Sequence, residues 1–377
     1  TRKLHGLRAL ADERGKIELA PVAAAALEPW LESGAEIEVD RRFREQLAQM
    51  ERAAALMPAL PADFQAELRD YQMDGYRWMM RLAEWGGGAC LADDMGLGKT
   101  VQALAVLAAR ASKGPALVVA PTSVVANWRA EARRFAPMLE LRVYGDGDRA
   151  EALSTLGPGH LVLASYGLVT LNIEAFAAVE FATLVLDEAQ AVKNAAAQRS
   201  QAMRKLRAAA RIATTGTPIE NHLGELWSLM RILNPGLLGS QEHFGKRFIA
   251  PLERDPRAPE RDTLRRLISP FLLRRLKSQV LEELPPRTEI VLSVEPSAEE
   301  AALLAALRRQ AIERLAQGGS GEQRRFHVLA ELTRLRRAAC HPHLVAPEFK
   351  LNGAKLDQLL ELVLERVGRH SRSAGGR

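Results

Sequence analysis

Residues 89–100 of the chain are Ala-Cys-Leu-Ala-Asp-Asp-Met-Gly-Leu-Gly-Lys-Thr. The pattern predicts an apolar strand that enters a glycine turn, followed by a helix rich in Ala, Val and Leu. Glycines allow successive N–H groups to face a phosphate, and the helix N-terminus adds partial positive charge. Lys99 would neutralise the β and γ phosphates, and the Thr100 hydroxyl would bind magnesium. The general phosphate-loop pattern is Gly-x-x-x-x-Gly-Lys-Thr, and this chain has Asp93 at its first position. A turn that merely joins strand and helix therefore remains an alternative.

A second motif, Asp187-Glu-Ala-Gln190, follows another apolar run, residues 181–186. Parallel strands of an α/β fold end at one edge of the sheet, which would bring Asp187 beside the glycine turn, where it could hold magnesium. Glu188 is suited to accept a proton from an attacking water. The two motifs in this order favour a nucleotide-hydrolysing site over two unrelated strand ends.

A third motif, residues 213–217, is Ala-Thr-Thr-Gly-Thr at the end of a further apolar run. Its hydroxyl groups could sense the γ phosphate and relay its state. Without the other two motifs, a threonine-rich turn would be interpreted as structural only.

The rest of the chain alternates between predicted strands and helices. Strands are predicted at 89–92, 116–120, 161–164, 183–186, 212–214 and 288–294, and helices at 23–31, 41–56, 101–111, 125–135, 223–233, 264–281, 297–316, 326–340 and 355–367. This order indicates an α/β fold with a mostly parallel sheet flanked by helices. The Gly-, Ser- and Arg-rich tail, residues 368–377, is predicted to be disordered.

Composition excludes several classes of protein. The 377 residues are 47% hydrophobic and 26% charged, which is typical of globular proteins. The longest uncharged run, residues 152–173, is interrupted by Gly-Pro-Gly-His and is too polar to cross a bilayer. We therefore expect that the chain is not a membrane protein. Two cysteines exclude a disulfide framework and a four-cysteine zinc site, and they indicate a reducing compartment.

The net charge is +6, and most of the 52 Lys and Arg residues are arginine. Arginine suits phosphate-rich partners because its guanidinium donates two hydrogen bonds at once, but a genome rich in G and C gives the same excess. The positive excess lies mainly after residue 260.

Further motifs complete a recognisable order along the chain. They are Leu68-Arg-Asp-Tyr-Gln72, Val119-Ala-Pro-Thr-Ser123 with Asn127-Trp128, Ala164-Ser-Tyr166, Thr215-Gly-Thr-Pro-Ile-Glu-Asn221, Leu226-Trp227, Asn234-Pro-Gly-Leu-Leu-Gly239, Phe271-Leu-Leu-Arg-Arg-Leu-Lys277, Leu284-Pro-Pro286 and Leu332-Thr-Arg-Leu-Arg-Arg-Ala-Ala-Cys-His-Pro342. Together with the first three motifs they resemble the ATPase core of the Swi/Snf-type DNA translocases of helicase superfamily two, in particular its bacterial branch. The resemblance covers residues 66 to 367.

The resemblance implies cofactors and site residues. ATP and Mg²⁺ would be bound by a loop with Gln72 reading the adenine; the loop is Asp93, Asp94, Met95, Gly96, Leu97, Gly98, Lys99 and Thr100. Lys99 and Glu188 would be catalytic, and Thr100 and Asp187 would hold the metal. Hydrolysis would be coupled to movement through Gln190, where many relatives have His, and through Thr215, Gly216 and Thr217.

The resemblance also implies contact with the sugar-phosphate backbone of duplex DNA, without sequence reading, through Pro121, Thr122, Ser123, Ser165 and Tyr166. Trp128 is expected in the core rather than as a stacking platform. For the basic residues Arg274, Arg275 and Lys277, contact with DNA and a solvated helix face both stay open. Packing is favoured over metal binding for Cys340, His341 and His343.

The expected organisation has five parts: a helical N-terminal extension (1–65), a RecA-like ATPase lobe (66–222), a helical family-specific segment and connector (223–290), a linker with the first helix of a truncated second lobe (291–367) and the tail (368–377). Family members hydrolyse ATP between two lobes, and arginines of the second act on the γ phosphate. We therefore expect this chain to bind ATP and Mg²⁺ but to hydrolyse ATP slowly by itself.

The expected function is that of a DNA-stimulated ATPase that remodels protein–DNA complexes. Duplex DNA is the expected partner, together with RNA polymerase or another DNA-bound protein; the chain would act as a monomer in the cytoplasm, associated with the nucleoid. A non-catalytic, nucleotide-dependent adaptor is the alternative. A strand-separating helicase is less favoured, because residues 223–290 follow the translocase pattern.

Overall fold

The structure of the chain is a computed structural model that describes residues 22, 41–147, 151–217, 222–280, 291–317, 322–348 and 353–374. It divides into two compact units, Thr1–Leu284 and Pro285–Arg377, and each is described by itself. The helix predicted at 23–31 lies outside the described residues.

A seven-stranded sheet forms the centre of the first unit, in the order β3-β4-β2-β5-β6-β1-β7. Every pairing is parallel. The strands are β1 Ala89–Leu91, β2 Ala116–Ala120, β3 Glu140–Val143, β4 His160–Ser165, β5 Glu180–Leu186, β6 Arg207–Thr214 and β7 Leu272–Leu273. The predicted fold class, a mostly parallel sheet flanked by helices, is confirmed.

Burial on both faces explains which strands the sequence predicted. All five residues of β2 are buried, as are the last six of β5. Central parallel strands are covered by helices on both sides and therefore consist of continuous apolar residues. The two edge strands were not predicted, since β3 is only partly buried and β7 has two residues.

The helices of this unit before residue 210 are α1 Arg41–Ala54, α2 Asp70–Glu84, α3 Lys99–Ala109, α4 Thr122–Phe135, α5 Glu151–Ser154, α6 Tyr166–Leu171, α7 Ile173–Ala177 and α8 Gln198–Lys205. Helix α3 is apolar around most of its circumference and buried from Gln102 to Ala108, as expected for a helix enclosed by its neighbours. Helix α1 joins the same core through Met50, so the described part of the N-terminal extension packs on this unit.

Helices also dominate the segment after β6: α9 Leu223–Leu233, α10 Gln241–Phe244, α11 Ala250–Arg254, α12 Glu260–Ile268 and α13 Lys277–Val280. The single helix predicted at 264–281 is wrong: α12 ends at Ile268, and Pro270 and the β7 pairing with β1 break the helical course. The Asn234 amide at the end of α9 donates to the Gly88 carbonyl (3.0 Å) and accepts from the Gly88 N–H (2.8 Å), which fixes the start of β1.

The second unit contains α14 Ala298–Gln317, α15 Glu322–Cys340 and α16 Ala354–Ala374. Ser297 and Glu300 form a reciprocal cap at the start of α14, and Glu300 also accepts the Ala354 N–H at 3.0 Å. Two predictions fail here. Residues 291–294 form no strand (288–290 lie outside the described residues), and α16 continues to Ala374, through most of the tail expected to be disordered.

Within the described ranges, no helix combines the length and the apolar character that crossing a bilayer requires.

Candidate nucleotide-binding site

The glycine turn lies between β1 and α3 at the carboxyl edge of the sheet. Gly96 and Gly98 have φ angles of +82° and +76°, a left-handed conformation that glycine adopts without steric cost. Helix α3 begins at Lys99, so its unpaired N–H groups face the turn. The Lys99 ammonium donates to the carbonyl oxygens of Asp93 (2.8 Å) and Asp94 (3.3 Å). Residues 93–100 can therefore cradle an anion such as a phosphate.

Gln72 lies beside this turn. Its amide donates to the Leu97 carbonyl at 3.1 Å, and the neighbouring Tyr71 hydroxyl donates to the same oxygen at 3.3 Å. A Cβ atom at Gly98 would stand 2.4 Å from the Gln72 amide nitrogen. Glycine at position 98 thus serves both the backbone turn and the close approach of Gln72.

Asp187 follows β5 directly and is nearly buried. The Trp128 indole N–H donates to Oδ2 at 2.7 Å, and the Thr214 hydroxyl donates to Oδ1 at 2.5 Å. The Tyr166 hydroxyl donates to the Asp187 carbonyl at 2.8 Å. These two donors fix the orientation of the carboxylate. Carboxylate and hydroxyl oxygens are the ligands that Mg²⁺ prefers, and Asp187 with Thr100 fits that donor set.

Glu188 has a φ angle of +48°, the one positive value for a residue other than glycine in the described part of the chain. Such a conformation costs about 1–3 kcal/mol and is typical of functional sites. Its Oε2 accepts a hydrogen bond from the Gln190 side-chain amide at 2.7 Å, and Gln190 Oε1 accepts one from the Thr215 hydroxyl at 3.0 Å. The Thr217 N–H donates to that hydroxyl at 3.2 Å. These bonds form a continuous path from the acid to the threonine turn.

The electrostatics of Lys99 bring the motifs together. Burial lowers the pKa of the Lys99 ammonium, whereas the carboxylates of Glu188, Asp93, Asp187 and Asp94 raise it. Acidic residues of two motifs therefore lie close enough to Lys99 to act on its charge.

The residues predicted to contact DNA differ in exposure. Thr122 and Ser123 are exposed at the start of α4, and Ser165 accepts the Leu168 N–H at the start of α6 (3.3 Å). The ends of β2 and β4 are neighbours, since Ala120 pairs with Ser165. The Tyr166 side chain is buried, and burial together with Asp187 raises the pKa of its hydroxyl well above the usual range. That hydroxyl faces Asp187 rather than solvent.

Three side chains have contacts in the site that the sequence does not predict. Trp128 and Thr214 hold Asp187, and Arg275 forms an ion pair with Asp93, which is fully buried. Arg274 is exposed. Chemistry alone indicates that a buried indole N–H and a buried carboxylate each need a hydrogen-bond or ionic partner. The spacing of residues along the chain does not reveal which residue that partner is.

Within the described ranges, no three potential metal ligands among His, Cys, Asp and Glu lie close enough together to form a site. His341 Nδ1 accepts the His343 N–H at 3.2 Å, and Cys340 is exposed.

Comparison with known proteins agrees with this geometry. Residues 71–344 match the family described as the SNF2-related domain. YwqA of Bacillus subtilis, whose name assigns it to the ATP-dependent helicases and translocases, is 37% identical over 347 residues, which are 88% of this chain and 37% of YwqA. The ISWI chromatin-remodeling complex ATPase CHR17 of Arabidopsis thaliana is 36% identical over 293 residues, 75% of this chain and 27% of that protein. The chain thus spans little more than a third of YwqA and less of CHR17.

A solved structure agrees at the level of the fold. The Sulfolobus solfataricus SWI2/SNF2 ATPase core in complex with double-stranded DNA aligns with a TM-score of 0.57 at 33% identity, over 83% of this chain and 67% of that chain. The expected RecA-like architecture is confirmed by this match. The chain therefore belongs to the SNF2 family of helicase-like ATPases.

Proposed function

We propose that the chain binds ATP with Mg²⁺ and forms the ATPase core of a Swi/Snf-type translocase that acts on duplex DNA. The observation that carries this proposal is the convergence of Lys99, Asp187 and Glu188 at the carboxyl edge of the sheet, where both carboxylates act on the pKa of the ammonium. A glycine turn without hydrolytic function does not require this convergence.

Residues 93–100 would hold the phosphates, and Gln72 would read the adenine. The hydrogen bond from Gln72 to Leu97 supports that role, because it fixes the amide against the same turn. Thr100 and Asp187 would hold Mg²⁺, which neutralises phosphate charge when it is bound.

Glu188 would accept the proton of the attacking water. We assign that proton to Oε1, since Oε2 accepts the Gln190 amide. Through Gln190, Thr215 and Thr217, any change at Glu188 would reach the turn after β6, which supports a coupling role for that turn and for Gly216.

DNA would contact the edge formed by the ends of β2 and β4. The exposed hydroxyls of Thr122 and Ser123, which follow Pro121 at a helix N-terminus, support contact with phosphate. Ser165 belongs to the adjacent strand end. In this arrangement Tyr166 would act from beneath the surface, through Asp187.

Turnover by this chain alone would be slow. Arg275 reaches the turn but is bound to Asp93, so it is not available to a γ phosphate. An arginine that stabilises the transition state is worth about 10³ to 10⁵ in rate, and we propose that such arginines come from a second lobe.

The chain would act as a monomer in the cytoplasm, associated with the nucleoid. Its substrate would be duplex DNA carrying a second protein, such as RNA polymerase. The relatives include a chromatin-remodeling ATPase, which supports a substrate made of DNA and protein.

The test is nucleotide binding and ATP turnover with duplex DNA, single strands, RNA or no nucleic acid. We expect Mg²⁺-dependent binding, slow turnover and stimulation by duplex DNA. Lys99→Ala should abolish binding, and unchanged affinity would remove the site assignment. Fast duplex-stimulated turnover by the chain alone would contradict the need for further arginines, and binding without any turnover would favour the adaptor.

A further inference from the structure

A segment far along the chain pairs with the phosphate loop. We call residues 272–277 the connector segment. It begins as β7 beside β1, and its pairing continues past the end of β1. The Ala92 N–H donates to the Leu273 carbonyl at 2.7 Å, and the Asp94 N–H donates to the Arg275 carbonyl at 3.0 Å. The first limb of the loop is therefore bonded to the connector segment as if both were strands.

The two acidic side chains of the loop extend this pairing. Asp93 Oδ1 accepts the Arg275 N–H at 3.0 Å, and Asp94 Oδ2 accepts the Lys277 N–H at 3.1 Å. The Lys277 ammonium lies above the loop, 3.3 Å from the position that a Cβ atom on Gly96 would take. Asp93 lies where the general phosphate-loop pattern has glycine. Its carboxylate binds the connector segment, which glycine could not do.

The Arg275 guanidinium joins the elements around the loop. Its Nε lies 3.0 and 3.2 Å from the two carboxylate oxygens of Asp93, and its Nη2 lies 2.5 Å from one of them. It also donates to the Tyr71 carbonyl and, at 3.0 Å, to Gln102 Oε1, and it stacks over the Tyr71 ring. Asp93 is fully buried, so the guanidinium is what keeps this charge compensated.

We propose that Arg275 is a positioning residue for nucleotide binding and that the nucleotide and the connector segment stabilise each other. The inference rests on the proposed ATP-binding function of residues 93–100. Arg275 holds the loop, the helix that carries Gln72 and the helix that carries Lys99 in one arrangement. Because linkage is reciprocal, if pairing of the connector segment with the loop raises nucleotide affinity, bound nucleotide favours that pairing by the same factor.

The test compares Arg275→Lys with its matched control Arg274→Lys in the full chain. Lysine keeps the charge but cannot reach Asp93, Tyr71 and Gln102 at once, whereas Arg274 is exposed next to it. With a fluorescent ATP analogue and Mg²⁺, we expect at least about tenfold weaker binding for Arg275→Lys and a change below about twofold for Arg274→Lys.

Hydrogen exchange of backbone amides, measured with and without nucleotide, distinguishes a positioning role of Arg275 from a purely structural one. In the wild-type chain, the nucleotide should slow exchange of the Asp94 and Lys277 amides, and in Arg275→Lys it should no longer slow that of Lys277. Should Arg275→Lys fail to fold, exchange in the wild-type chain still decides the mutual stabilisation, and Arg275→Gln, which keeps a side-chain amide donor, takes its place in the binding comparison.

Three outcomes separate the two proposals. If the wild-type chain binds no nucleotide, the proposed function fails. If it binds nucleotide but Arg275→Lys binds equally well, the role of Arg275 is overturned. If nucleotide protects the loop and leaves the connector segment unchanged, the mutual stabilisation is overturned.

Discussion

The hydrogen bond from Trp128 to Asp187 lets a residue of the hydrophobic core orient a carboxylate of the site. The indole is fully buried, yet its N–H must find an acceptor, and the carboxylate at 2.7 Å is that acceptor. With the Thr214 hydroxyl on the other oxygen, the plane of the carboxylate is fixed before any cation arrives. Groups that orient a metal ligand in this way typically contribute 10- to 100-fold, roughly, to metal affinity.

If Asp187 holds Mg²⁺ as proposed, replacing Trp128 with Phe should lower the affinity for Mg²⁺ in nucleotide binding. We expect the Mg²⁺ concentration at half-saturation to rise about tenfold, because Asp187 loses one of its two fixed donors. Trp227→Phe is the matched control: its indole is also buried but donates to the Gly239 carbonyl at 3.1 Å. Equal shifts in both variants would indicate a general loss of packing and contradict the assignment.

The left-handed conformation of Glu188 leads to a prediction about stability. Asn tolerates positive φ better than most residues, whereas Gln does not, and neither amide can replace Glu188 in its proposed role as a base. Glu188→Asn should unfold with a free energy about 1 kcal/mol higher than Glu188→Gln, and both should lose turnover. Chemical denaturation measures the difference, and a Gln variant as stable as the Asn variant would mean that the conformation stores no strain.

At the scale of secondary-structure elements, Gly75 in α2 shows packing overriding helix propensity. Alanine ordinarily stabilises a helix interior by about 1 kcal/mol relative to glycine. Here a Cβ atom would lie 2.1 Å from Gln102 Oε1 and 2.8 Å from Arg275 Nη2, two atoms already bonded to each other. The absent side chain makes room for the contact between α3 and the connector segment.

Gly75→Ala should therefore lower the free energy of unfolding by about 1–3 kcal/mol, despite the better propensity of alanine. Gly245→Ala is the control, since that glycine has helical angles and nothing within 4 Å of its Cβ position; it should raise the free energy by up to about 1 kcal/mol. Thermal and urea unfolding compare the two. Stabilisation by both substitutions would show that Gln102 and Arg275 yield without cost.

The elements also show what the sequence could predict. Continuous apolar runs located β2, β4 and β5, because strands buried on both faces leave that pattern, and the motifs located Asp187 and Glu188 at strand ends. The edge strand β7 has two residues and forms only because β1 is beside it, so no local pattern announces it. Arg275 likewise acquires its role from a partner 182 residues away.

At the scale of the whole molecule, each compact unit contains one cysteine. Cys90 is buried in β1 of the first unit, and burial raises the pKa of its thiol to about 12, an effect that the nearby Lys193 charge opposes. Cys340 ends α15 in the second unit and is exposed. Only the thiolate reacts readily with thiol reagents, so the two should differ widely in reactivity.

At pH 8 a thiol reagent should label Cys340 quickly and Cys90 only when the first unit opens. Since burial raises the pKa of the Cys90 thiol to about 12, labelling of Cys90 should need denaturant, which opens the first unit, whereas labelling of Cys340 should be fast without it. Time courses monitored by mass spectrometry test this, with Cys340→Ser removing the fast phase. Two fast thiols in the native chain would contradict the burial of β1.

The pairing between the connector segment and the phosphate loop also sets an order of events during synthesis. Asp93 leaves the ribosome long before Arg275 is made, and at about 5–20 residues per second the intervening 182 residues take roughly 10–40 s. During that interval the Asp93 carboxylate lacks its Arg275 partner, and the last strand of the sheet does not yet exist. If the loop binds ATP as proposed, the nascent chain should gain its full affinity only once residue 277 has emerged.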